Sequence, residues 1–154
     1  MTAIELQDNL AGEVSRLFRD RKFLNASGKR VPLNVFVQNL PVEFSDEDAD
    51  PVPYLEVVIN GGEDEGAKDS FNVVHLSLVC CLFDDTRQAQ GHRDLMGVIQ
   101  NIYRRFHEDP RLGDSFYQGG FEWVIQDESY YPYYIGAMKM DFVIPAVRRV
   151  SPYA

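Results

Sequence analysis

From Phe71 to Phe83 the chain is apolar at both alternating sets of positions. Val74, Leu76, Leu78, Cys80 and Leu82 fall on one side of an extended segment, and Phe71, Val73, Val79, Cys81 and Phe83 on the other. A strand with one wet face would be apolar at every second residue only. The pattern therefore predicts one long central strand covered on both faces. Asp84-Asp85-Thr86 makes a turn, after which Leu95, Ile99, Ile102 and Phe106, widened by Val98 and Tyr103, recur at helical spacing. A helix running to about Phe106 must then lie back across one face of that strand. Gly91 falls on the apolar stripe, where a missing side chain lets helix and sheet approach closely. Gly97 falls on the polar side, where glycine costs about 1 kcal/mol relative to alanine. It reads as a tolerated defect more readily than as a contact with another chain.

The remaining pattern builds outward from this unit. Thr2-Ala3-Ile4-Glu5 fits a capping box, and Leu6, Leu10, Val14 and Leu17 predict a first helix reaching about Lys22. Val31 to Leu40 reads as an edge strand, because Pro32 and Pro41 bracket it and proline cannot serve a central ladder. An acidic loop, Ser45 to Asp50, is closed by Pro51-Val52-Pro53. Tyr54 to Ile59 then alternates with Leu55, Val57 and Ile59 inward, and Asn60-Gly61-Gly62 ends it. Glu63 to Asp69 becomes the long, acidic, mobile tip of a hairpin.

After the second helix, Pro110 to Gly120 reads as a loop and Phe121, Trp123 and Ile125 as one face of a strand. An aromatic turn runs from Asp127 to Gly136, and Met138, Met140, Phe142 and Ile144 form the inward face of a last strand ended by Pro145. The expected order is α-β-β-β-α-β-β. It implies one α+β domain over residues 1–154, with 146–154 as an extended tail, and a mixed or antiparallel sheet carrying two helices on one face.

A chain of 154 residues with 45% hydrophobic residues can bury a substantial core. A net charge of −9 argues against nucleic-acid binding, which calls for a basic patch. No apolar run is long enough to span a membrane, and Met1 to Asp8 has neither a basic nor an apolar leader region, which points away from export. Cys80 and Cys81 are neighbours on a strand and so point to opposite faces; they read as reduced core residues of a cytosolic protein.

Candidate chemistry adds little. His92 and His107 stand roughly four turns apart on one helix and His75 is on a strand, so the three do not share an ion. The runs around Asp46 and Glu63 have the charge of a cation site without its ligand spacing. Asn60-Gly61-Gly62 is turn chemistry, with no following lysine-bearing helix to make a phosphate cradle. No serine stands in a nucleophile elbow. Asp94 and Asp141 are a conceivable carboxylate pair, but nothing in the sequence brings them together. The expectation is a protein without catalytic residues, metal or cofactor. The oddity is Tyr130, Tyr131, Tyr133 and Tyr134 around Pro132, more tyrosine than one turn needs. They divide between core and inter-subunit contact, where tyrosine is enriched.

Asp50-Pro51-Val52-Pro53-Tyr54, Phe83-Asp84-Asp85 with the helix reaching Arg104-Arg105-Phe106, and Trp123 with Tyr131-Pro132-Tyr133-Tyr134-Ile135-Gly136 carry a resemblance over most of the chain. The chain resembles the tail terminator (tail completion, head-tail joining) proteins of tailed bacteriophages and prophages, and its element order is similar to theirs. The resemblance implies a structural virion protein, assembled in the host cytoplasm, that forms a homo-oligomeric ring, usually a hexamer. Such a ring stops growth of the tail tube, contacts the tail tube protein, and offers a surface to the head-completion or connector protein. It implies no catalytic residues.

Two further expectations follow from the ring. The second face of the long strand is covered partly by another copy. The hairpin tip, with Glu63, Asp64, Glu65 and Asp69, points into the lumen and keeps passing DNA from sticking. The competing readings are an acidic inhibitor or immunity-type protein that binds a basic partner, which would concentrate its charge on one face, and a small metal-dependent enzyme, which the missing motifs disfavour.

Overall fold

A computed structural model of the chain describes residues 1–40, 50–66 and 71–147. Helix α1 (Ala3–Leu17) opens with the expected capping box: the Glu5 amide donates to Thr2 Oγ1 at 3.1 Å, and the Thr2 amide to Glu5 Oε2 at 3.4 Å. Leu6, Leu10 and Val14 are its buried stripe. The helix stops at Leu17, short of the expected Lys22. Beyond it, β1 (Lys22–Leu24) pairs antiparallel with β2 (Arg30–Pro32) in a separate hairpin. Asn25 Oδ1 holds the turn by accepting from the amides of Ser27 and Lys29. Phe18 and Phe23 meet edge to face at 6.4 Å, so the apolar pattern after Leu17 serves a helix cap and a strand rather than another helical turn.

The expected single strand from Val31 to Leu40 is likewise divided. Its first part is β2, and its second is β3 (Asn34–Val37), a true edge strand lying parallel to β4 (Tyr54–Asp64). β4 does not end at Asn60 as expected. The ladder to β5 (Asn72–Phe83) shifts register between Ile59 and Gly61, then continues to the pair Asp64–Asn72. Gly62 is required there, because a Cβ at that position would stand 2.6 Å from the Val73 carbonyl oxygen.

Helix α2 (Gly91–Glu108) follows β5, with Leu95, Val98, Ile99, Ile102 and Phe106 buried. The expected loop from Pro110 contains two short paired strands, β6 (Arg111–Leu112) and β7 (Ser115–Tyr117). β8 (Glu122–Ile125) comes next. The last strand, β9 (Tyr133–Ile144), begins five residues earlier than the sequence pattern suggested. It pairs antiparallel with β5 over its whole length. On its other side it pairs with β8 near its start and with β7 near its end. The sheet order is β3-β4-β5-β9-β7-β6, with β8 beside β9. The result is a mixed, mainly antiparallel α+β fold.

Both helices lie on one face of the sheet. Their stripes share a single core with Leu55, Val57, Val74, Leu76, Leu78, Met138, Met140 and Phe142. Arg105 ties the layer together. Its Nε donates to Glu13 of α1 at 2.8 Å, and its guanidinium also reaches the carbonyl oxygens of Asp109 and Arg111. Arg16 bonds the same Glu13, and together the two arginines hold that carboxyl below its usual range against the opposing effect of burial. Cys80 faces the helices and Cys81 the other side; both thiols are free and buried, and burial pushes Cys81 up to about 12.

Candidate interaction surface on the open sheet face

No helix or strand among the described residues packs on the second face of the sheet. Registers of adjacent strands define rows across it. Tyr54, Cys81 and Ile135 form one row; Phe36, Glu56, Val79, Ala137 and Val124 form the next. Phe83 and Tyr133 pack edge to face above them at 5.5 Å, and Phe36 meets Tyr54 at 6.3 Å. Asp50 partly lids this end, accepting from the Tyr133 hydroxyl at 3.1 Å. Burial raises the carboxyl of Glu56 and pushes Tyr54 up to about 12. At the far end Val73, Val143 and Phe116 form a second apolar row, with Phe71 63% exposed beside it.

Between the apolar ends lies a polar belt. The bulge at Asn60 adds one residue, which moves Glu63 rather than Asp64 onto the open face. Glu63 Oε2 then stands 3.0 Å from His75 Nε2, while Asp141 Oδ1 stands 2.6 Å from His75 Nδ1. These two hydrogen bonds, that of Asp141 first, raise the His75 pKa and favour the imidazolium. Asn60 Nδ2 donates to Ser77 Oγ at 2.5 Å, and Lys139 faces Glu122 across the β8–β9 ladder. Both imidazole nitrogens of His75 are occupied by carboxylates. Among the described residues no group of His, Cys, Asp and Glu side chains is set to hold a metal ion.

The acidic hairpin is more ordered than a mobile tip. Glu63 and Asp64 are ladder residues, and Asp64 Oδ1 accepts from the Gly66 amide at 2.8 Å. Glu65 lies just past the strand and is exposed. Asp69 and the acidic run from Ser45 to Ala49 lie outside the described residues, as does the tail beyond Val147.

The four tyrosines separate into distinct roles. Tyr134 is buried against the start of α2. The Tyr133 hydroxyl is engaged with Asp50 on the open face. The Tyr131 hydroxyl donates to the carbonyl oxygens of Asp85 and Thr86, pinning the turn before α2, though its ring is exposed. Tyr130 is exposed. Tyr131 also lines a shallow depression of about 700 Å³ with Arg87, His92, Leu95 and Ile125. Asp94 bonds Arg21 at 3.4 Å and Asp141 bonds His75, so the two carboxylates have separate partners. The other histidines are apart as well: His107 stacks on Tyr103 at 4.1 Å.

No helix among the described residues is long and apolar enough to cross a membrane. Compared with models of protein families, the chain matches none, and a comparison with curated proteins also finds no match.

Proposed function

We propose that this protein is a structural subunit of a tailed-phage particle. It assembles into a ring at the end of the tail tube, stops tube growth and joins tail to head. The observation that carries the reading is the sheet itself, with two helices on one face and, on the other, apolar rows that no described helix or strand covers. Such rows are mostly half-buried in the lone chain, and contact with another copy, the tail tube protein or the head-completion protein would cover them. The resemblance in the segments around Asp50–Tyr54, Phe83–Asp85 and Tyr131–Gly136 supplies the kind of assembly. In this reading the ring is a homo-oligomer, its partners are the tail tube protein and the head-completion protein, and the chain performs no catalysis. The acidic hairpin end at Glu63 to Glu65 faces the lumen, where weak repulsion keeps DNA sliding because each basic contact would add affinity.

The test is the mass of the purified protein across a concentration series, joined to a negative-stain image. A discrete ring supports the reading. A chain that stays monomeric at high concentration and binds neither tail tubes nor head connectors overturns it.

A further inference from the structure

We infer that neighbouring copies join by strand pairing, the outer edge of β8 in one copy adding antiparallel to the outer edge of β3 in the next. This deepens the ring reading above and rests on it.

The β3 and β8 edges of the sheet are unlike each other and fit each other. The Gln126 amide donates to the Ile135 carbonyl at 3.0 Å, which sets the phase of the β8–β9 ladder. Glu122 and Val124 therefore turn their backbone groups toward β9, and Trp123 and Ile125 turn theirs outward. At the opposite edge, the Asn34 amide donates to Pro53 and the Gln38 amide to Val57, so Val35 and Val37 are the residues whose backbone faces outward. Each strand is four residues long, and each carries three consecutive apolar residues: Val35-Phe36-Val37 and Trp123-Val124-Ile125. Val124 is 65% exposed, Trp123 45% and Val37 43%.

Natural sheets protect exposed edges with lysine, proline, bulges or shortness. β6, a two-residue edge carrying Arg111, follows that rule. β8 carries no lysine, proline or bulge and is twice as long as β6.

Strand direction agrees. β3 is parallel to β4, and β4, β5, β9 and β8 alternate, so β8 runs opposite to β3. A rotation that carries the sheet onward, with strands running along the axis, brings the two edges together antiparallel. One register brings the outward backbone groups opposite each other; the Val37 carbonyl, which also accepts from the Asn39 amide at 2.8 Å, would take its second hydrogen bond there. Placing Val124 opposite Phe36 puts both side chains on the open face. Ile125 then meets Val35 and Trp123 meets Val37 on the helix face, with outward backbone facing outward backbone. The flanking pairs, Gln126 with Asn34 and Glu122 with Gln38, are polar. Because the two edges differ, the contact is head-to-tail, the kind that closes into rings.

The test uses the full chain with Phe36→Cys and Val124→Cys made separately; the native cysteines are buried. Val124 opposite Phe36 would be a non-hydrogen-bonded pair, about 4.5 Å between Cα atoms and within disulfide range. Mixed under mild oxidation, the two variants should give a disulfide dimer that neither gives alone, and the double variant a ladder ending at the ring. In parallel, Ile125→Pro removes an outward amide without touching the β9 ladder. It should raise the concentration for half-assembly roughly tenfold or more while the fold survives by circular dichroism. A Val124→Cys variant that cross-links to itself overturns the proposal in favour of a two-fold dimer. A ring of full mass that forms no mixed cross-link overturns the edge pairing and leaves the ring. A wild-type chain that never associates removes both.

Discussion

Gly91 and Tyr134 are in contact with no room for a methyl group between them: a Cβ on Gly91 would stand 2.4 Å from Tyr134 Cδ2 and 3.0 Å from Asp84 Cβ. The start of α2 is thereby seated on the start of β9, and the aromatic turn is fixed to the turn after β5. Two opposed effects decide what alanine does here. Helix propensity alone would favour it by up to about 1 kcal/mol. Overpacking a ring that is itself buried costs roughly 1–3 kcal/mol. The clash is too deep for propensity to win. Gly91→Ala should lower the unfolding free energy by a net ~1–2 kcal/mol, and the same change made in a Tyr134→Leu background should cost less. Additive losses in that double-mutant cycle would refute the contact as the cause.

Arg105 is the second point on which the layers depend. It links Glu13 on α1 to the carbonyl oxygens of Asp109, just past α2, and Arg111 in β6, and its guanidinium lies 4.6 Å from the Phe106 ring centroid. A lysine keeps the charge but cannot reach three acceptors in one plane. Arg105→Lys should cost about 1–3 kcal/mol of unfolding free energy, the scale of lost charge-assisted hydrogen bonds at a partly buried site. Arg104→Lys, one residue away and exposed, should change stability by less than about 0.5 kcal/mol. Equal effects at the two positions would remove Arg105 from this role.

The packing of α2 was legible in the sequence because its signals were local: an apolar stripe, a glycine on it and a strand apolar on both parities. Gly91 was found that way. Gly97 was not, since what approaches it is the Arg21 guanidinium, 3.3 Å from a built Cβ, reaching from the connection between α1 and β1. The stripe Leu6, Leu10, Val14 and Leu17 does not encode the end of α1, which is set by Phe18 at the cap meeting Phe23 of β1. The bulge at Asn60 was hidden by glycines that ordinarily signal a turn, and with it the meeting of Glu63 with His75 and Asp141. That belt joins residues from three strands, and no spacing in the chain encodes it.

The belt should make stability depend on pH in a definite sense. His75 has a raised pKa in the folded protein. Its contribution is therefore fully present below the unfolded value of about 6.5 and is lost as pH rises through the raised folded value. His75→Gln should consequently destabilise the protein more at pH 5.5 than at pH 9 when denaturant midpoints are compared. A gap between variant and wild type that is flat, or that grows with pH, would mean the imidazolium is not what the carboxylates hold.

Glu63 and Glu65, two residues apart on the same acidic hairpin, should behave differently. The bulge places Glu63 on the open face beside His75, whereas Glu65 lies past the end of β4 and is exposed. Glu63→Lys replaces an acceptor with a like charge, so it should lower the His75 pKa and weaken the fold most at acidic pH. Glu65→Lys should leave stability within about 0.5 kcal/mol. If the hairpin end faces the lumen of a ring, Glu65→Lys should instead act on the particle: rings assemble, and DNA ejection slows because an added cation contributes counterion-release affinity. Nuclear magnetic resonance titration of His75 reads the first effect, and ejection kinetics of variant phage the second. Unchanged ejection with intact rings would remove Glu65 from the lumen while leaving the role of Glu63 in the belt as it stands.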